Sequence, residues 1–173
     1  MTEEDKVEVA VLGKTVYVRP TGYATQAVSL GLPDFLDAML QEGCTSVTFD
    51  LGQCRAMDST FMGVIAGAAM ARPQARGKLV AIVNAGERTL QQLAFIGLLP
   101  VVAVVAGAVE MSQGLRLAQV GTLHWPKTER ERILKIKRLH QNLLELNDKN
   151  EGRFGPILKM LEAELQQQED RRQ

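Results

Sequence analysis

Two cysteines, two histidines, one tryptophan and no surplus of charge leave this 173-residue chain short of the groups that several functions require. Cys44 and Cys54 lie on either side of the short segment SVTFDL rather than facing each other across a turn, so no disulfide is expected. His124 and His140 are remote from both cysteines and from each other, which leaves no close-spaced ligand set for a metal. The 20 basic and 20 acidic side chains cancel, so no global field draws the chain to nucleic acid or to an anionic membrane. No apolar run approaches the roughly 18 residues of a membrane span. The opening MTEEDKVEV is acidic and lacks the basic and apolar regions of a signal peptide. A cytoplasmic location without membrane insertion is the expectation.

What is present is a composition that folds: 46% hydrophobic and 23% charged residues, far from the signature of disorder. The length suits one well-buried core with an appendage. Residues 7–12 and 14–20 alternate and are rich in valine, with Gly13 between them, and read as two strands about a tight turn. A helix is expected from about Tyr23 to Leu40, with Pro33 and Asp34 as start signals and Gly43 as the stop. Residues 46–51 form a strand, and 59–70, almost entirely small or apolar, form a helix buried on most sides. A strand at 78–83, a helix at 87–97 closed by Gly97 and a strand at 101–105 complete the alternation. Strands and helices in this rhythm predict an α/β fold, a small mixed sheet with helices packed on it.

After about residue 120 the strands stop. Trp125 and Pro126 mark a boundary, and Ile133, Ile136, Leu139, Leu143 and Leu146 then recur at amphipathic helical spacing. Phe154, Ile157, Leu158, Leu161 and Leu165 repeat the pattern beyond a polar turn, with Pro156 placed to start or kink the second helix. The expected organisation is an α/β domain over 1–122 and a C-terminal α-helical hairpin over 123–173. An apolar stripe of this size is rarely left bare: either the α/β domain covers it within the chain, or it is a partner surface, for which a homodimer through the C-terminal helices is the expectation.

The sharpest local signal is AMDSTFMGV, residues 56–64, where a strand hands over to the buried helix. Asp58 and Ser59 are both favoured N-cap residues, because their side-chain oxygens accept N–H groups left free in a first helical turn. One reading stops there, with the serine a structural cap. The other adds chemistry: a hydroxyl at a helix start within reach of a kinase would, once phosphorylated, carry about −1.5 to −2 charge into whatever surface docks there.

The stretch DSTFMG resembles the Asp-Ser-Ser/Thr-Gly-x-Gly motif of STAS domains, found in anti-sigma factor antagonists and in the cytoplasmic tails of sulfate transporters. The order of elements from about 7 to 118 is similar as well. The resemblance implies that Ser59 is the phosphorylation site, preceded by Asp58 and followed by Thr60, and that Asp58, Ser59, Thr60, Phe61, Met62 and Gly63 bind the partner. It also implies partner switching with an anti-sigma factor that is itself a serine kinase, reset by a phosphatase. Phe61 stands where the family has its first glycine, and either fills the core or projects as an anchor; Gly63 matches the second glycine. The hairpin after 126 is a further departure.

Other chemistry finds less support. Asp50 and Asp58 flank the strand-to-helix connection, but no histidine, lysine or second serine lies near them in sequence to build a nucleophile or general base. The glycines of GVIAGAAM lack the lysine and hydroxyl residue of a phosphate-binding loop and read as close packing, so no cofactor is expected. Asn84, Gly86, Glu87 and Arg88 follow a strand and would line the same sheet edge as Ser59, as rim residues or as loop alone. The run at 127–138, with six basic and two acidic residues, reads as a solvated helix face rather than a nucleic-acid contact. The expected function is a non-enzymatic, antagonist-like regulatory domain switched by phosphorylation. The alternative is a constitutive STAS scaffold subunit of a transporter or signalling complex, in which Ser59 is only a cap.

Overall fold

The computed structural model describes residues 4–71, 77–111, 115–120 and 124–172; the expected boundary between 122 and 123 lies outside the described residues. β1 (Lys6–Leu12) and β2 (Thr15–Ala24) form an antiparallel hairpin in which Leu12 faces Thr15. Gly13 turns the chain at φ 60, a left-handed conformation that favours glycine.

β2 then serves two partners in succession. Its first half pairs in parallel with β3 (Ser46–Asp50), and its end pairs in parallel with β4 (Cys54–Met57) after an irregularity at Gly22, where φ is 70. With β5 (Val80–Val83), β6 (Ala103–Val104) and β7 (Ala118–Gln119), the sheet runs β6-β5-β3-β2-β1-β7, with β4 set beside β2. It is mixed, as expected: β1 is antiparallel to β2 and β7, and the other pairings are parallel.

The expected helix over 23–40 divides. Tyr23 and Ala24 remain in β2 because β4 supplies them with a partner, leaving a single turn, α1 (Gln26–Ser29), and then α2 (Leu32–Gln41) with Pro33 in its first turn. α3 (Ser59–Met70) follows β4, and α4 (Glu87–Phe95) follows β5. The strand expected over 101–105 shortens to β6, since Pro100 lies in a 3-10 turn spanning Leu99–Val101.

Two long helices close the chain. α5 (Glu129–Leu146) starts on Thr128, whose hydroxyl accepts the Glu131 N–H. α6 (Asn150–Asp170) runs through Pro156. The carbonyl that loses its partner there belongs to Gly152, an exposed residue open to water.

α3 lies between the sheet and α5, and residues 60–66 are buried without a break. That explains a helix with apolar side chains on every face. Phe61 is fully buried and meets Phe49 of β3 edge-on at 6.2 Å, so of its two expected roles it fills the core. Ile133, Leu139 and Leu143 of α5 belong to the same cluster as Val47, Phe49 and Ile82 of the sheet. Burying each such side chain contributes about 1.5–3 kcal/mol, so the hairpin and the α/β layer share one core.

Candidate functional site

β2, β3, β4 and β5 run parallel, so their C-termini at Ala24, Asp50, Met57 and Val83 share one edge of the sheet. Asp58 leaves that edge with extended backbone and caps α3, its Oδ1 accepting the Phe61 N–H at 2.8 Å. Its Oδ2 accepts the Gln26 N–H at 2.7 Å, and its own N–H donates to the Ala24 carbonyl. One carboxylate thus ties the starts of α1 and α3 together. Negative charge is favoured there by the free N–H groups of the first helical turn.

β4 has β2 on one side only. On its other side the Gln92 amide of α4 completes the ladder: Met57 N–H donates to Gln92 Oε1 at 3.1 Å, and Gln92 Nε2 donates to the Met57 carbonyl at 2.8 Å. This two-point clamp sets the backbone that presents Asp58 and Ser59. No periodicity signals it, because Gln92 reads as an ordinary polar position of α4.

Ser59 is half-buried rather than open at a helix tip. Its Oγ lies 2.9 Å from Nε2 of His140, which projects from α5 and is itself buried. His140 Nδ1 lies 2.8 Å from the Ile136 carbonyl, which only accepts, so Nδ1 carries a proton. In the neutral ring Nε2 is then the acceptor, and the Ser59 hydroxyl donates to it. The sequence placed no histidine near this serine; the fold brings one across 81 positions. The Nδ1 side is held by a main-chain carbonyl, and the Asp58 carboxylate by two N–H groups, so this is not the acid-supported relay of an activated nucleophile.

The rest of the expected binding stretch is covered. Thr60, Phe61, Met62 and Gly63 are all buried, and the Gly63 carbonyl accepts a hydrogen bond from Asn142 of α5 at 3.2 Å. Of the expected rim, Asn84 adopts φ 56 and joins the end of β3 to the irregular segment after β6. Its Nδ2 donates to Asp50 Oδ1 and to the Val109 carbonyl, and its Oδ1 accepts the Val109 N–H. Gly86, Glu87 and Arg88 are exposed at the start of α4, where Glu87 accepts from Gln91. Asp50 is engaged by Arg19, Gly52 and Asn84, which makes it a structural carboxylate of the sheet edge. Burial pushes the Cys54 thiol up to about 11, which keeps it protonated and unreactive near neutrality.

Among the described residues no group of three potential metal-ligating side chains occurs, and no helix is long and apolar enough to cross a membrane.

The family model described as the Mlab STAS domain matches residues 7–103, and the chain belongs to the STAS domain family. Among solved structures, the anti-sigma factor antagonist SpoIIAA in its unphosphorylated form matches with a TM-score of 0.50 and 18% identity, over 58% of this chain and 88% of that one. The phosphorylated form of SpoIIAA, the Bacillus cell fate determinant, matches with a TM-score of 0.47 and 18% identity, over 58% of this chain and 91% of the other. No curated protein sequence matches. The family match ends at 103, ahead of both α5 and α6.

Proposed function

We propose that this chain is a non-enzymatic regulatory module of the antagonist type, acting in the cytoplasm and binding a serine kinase-like anti-sigma factor in a form set by phosphorylation of Ser59. In the modification, the γ-phosphoryl group of ATP passes to Ser59 Oγ as its bond to the β-phosphate oxygen breaks, and the hydroxyl proton leaves to a base on the kinase. A phosphatase reverses the state by hydrolysis. The observation that supports the reading is the position of Ser59 within the matched STAS region, in the first turn of α3 behind the cap Asp58 and only half-buried. A phosphate there would add charge beside Asp58 and occupy the space in which α3 and α5 meet.

Of the expected contact stretch, Asp58 and Ser59 are the part a partner can reach, with Asn84, Gly86, Glu87 and Arg88 as its rim; Thr60, Phe61, Met62 and Gly63 are buried and act through the packing of α3. A homodimer through the C-terminal helices would have to use what the hairpin leaves outside, chiefly Leu134 and Met160, since Ile133, Leu139, Leu143, Leu158 and Leu161 are buried within the chain.

The half-burial of Ser59 and its engagement by His140 favour a second reading, the constitutive scaffold in which the serine is a structural residue. Intact-mass analysis of wild type and Ser59→Ala after expression alongside candidate kinases separates the two. One phosphate on wild type that is lost in Ser59→Ala supports the switch. An unmodified wild type across the kinase panel supports the scaffold.

A further inference from the structure

The face of α3 and α2 that α5 covers has the chemistry of a helix-binding groove. Gly63 and Gly67 leave α3 without side chains along one line, and α5 lies so close that a Cβ on Gly63 would meet the Leu139 carbonyl oxygen at 2.4 Å. Leu139 enters beside Val64, and Asn142 bonds the Gly63 carbonyl. On the α2 side, two acids one turn apart, Asp34 and Asp37, pair with two cations at the same spacing on α5, Lys135 and Arg138. The seat is incompletely filled: a cavity of 250 Å³ remains where Pro33, Leu36, Ala68, Arg138 and Asn142 meet.

Two observations set α5 apart from the fold it rests on. The family match ends before it, and SpoIIAA has 88% of its own chain accounted for by 58% of this one. Polar links flank the buried apolar seam of α5 across the seat, Ser59 to His140, Asn142 to Gly63 and the two ion pairs, the combination of an apolar centre with a polar rim found where surfaces associate.

We infer that the α2–α3 face is a docking groove for a basic amphipathic helix of a partner protein, and that α5 is its built-in occupant, which the partner displaces. The recognised helix carries two cations one turn apart, set against Asp34 and Asp37, and an apolar seam whose backbone rests on Gly63, with an amide side chain placed as Asn142 is, opposite Gly67. This deepens the reading of the chain as a protein-binding module by naming the partner's chemistry. It also explains how a serine at the rim of the seat would control access: a group that loosens α5 opens the groove.

The test uses the full chain and a fluorescent peptide of residues 127–147 as the partner-like helix, with anisotropy as the readout. Leu139→Asp, which dislodges α5 while leaving the groove intact, is expected to bind the peptide at least about tenfold more tightly than wild type, because the competent fraction rises. Adding Asp34→Lys and Asp37→Lys is expected to abolish the gain. Equal binding by wild type and Leu139→Asp overturns the proposal. Binding that ignores the two charge reversals also overturns it, since the peptide is then held by α6.

If Leu139→Asp does not fold, Lys135→Glu with Arg138→Glu takes its place, which turns the two ion pairs into like-charge repulsion and removes the Lys135 bonds to the Leu30 and His124 carbonyls while leaving the apolar seam intact. Loss of the folded state there too makes the hairpin an inseparable part of the core and sinks the displacement. Ser59→Glu is measured in parallel. A wild-type-like Ser59→Glu beside a peptide-binding Leu139→Asp leaves the groove standing and removes only the phosphate switch.

Discussion

A Cβ built on Gly63 would lie 2.4 Å from the carbonyl oxygen of Leu139, a contact with backbone that no side-chain rotation can relieve. At Gly67, one turn further along the same line, the nearest atom is Asn142 Nδ2 at 2.5 Å, the tip of a side chain that can swing aside. Two glycines of one helix therefore differ in what they permit.

Gly63→Ala is expected to destabilise the chain by about 1–3 kcal/mol, because the shift of α5 outweighs the gain of about 1 kcal/mol from alanine's helix propensity. Gly67→Ala should be close to neutral. Denaturant unfolding of the two variants checks the contrast, and equal effects would mean that α5 does not lie where it is described.

Asp58→Ala removes the acceptor for both Phe61 and Gln26 N–H groups. A lost N-cap costs about 0.5–2 kcal/mol, and the second bond adds to it. The expected loss exceeds that of Thr128→Ala, which removes a single cap at the start of α5. Midpoints in urea compare the two directly.

Gln92→Leu keeps the bulk of the side chain and deletes both links to Met57. The freed N–H and C=O of Met57, a buried residue, cost about 1–3 kcal/mol. Hydrogen exchange should locate the damage: the Met57 amide is expected to lose protection while the Val47 and Ile82 amides of the central strands keep theirs.

His140→Ala leaves the Ser59 hydroxyl without its side-chain partner and opens space beneath α5. Faster exchange along α5 than along β3 is the expected result. Should both respond alike, the hairpin and the sheet unfold only together.

Cys54 supplies a pH signature. Its thiol titrates at about 11 in the folded chain against an ordinary 9.0, so above the lower value the unfolded chain gives up a proton that the folded chain retains. The stability this provides is fully present below pH 9 and is lost as pH rises through 11. Comparing wild type with Cys54→Ala in chemical denaturation from pH 8 to 11 isolates it from other groups that titrate there. The difference in stability between the two should shrink with rising pH.

Much of the α/β layer was legible along the chain, because strand alternation and buried-helix composition are local. β1, β2, β3, α3, β5, α4 and both C-terminal helices fall where periodicity puts them. The division of the helix expected over 23–40 was not legible, since only the presence of β4 alongside tells Tyr23 and Ala24 to stay extended. The motif around Asp58 and Ser59 was visible for the same local reason, N-cap chemistry at a strand-to-helix junction. Its surroundings were not.

Residue order alone determined most of the longer elements, the buried character of α3 and the amphipathic seams of α5 and α6, because each depends on neighbours within a few positions, whereas the short strands β4 and β7 depend on the partners they pair with. Which surface those seams cover was decided only in three dimensions. An apolar stripe specifies that it must be buried but not against what. The choice was made by shape and charge at a distance, by glycines that admit the α5 backbone, by acids on α2 spaced for its cations, and by a serine that finds its histidine 81 residues away.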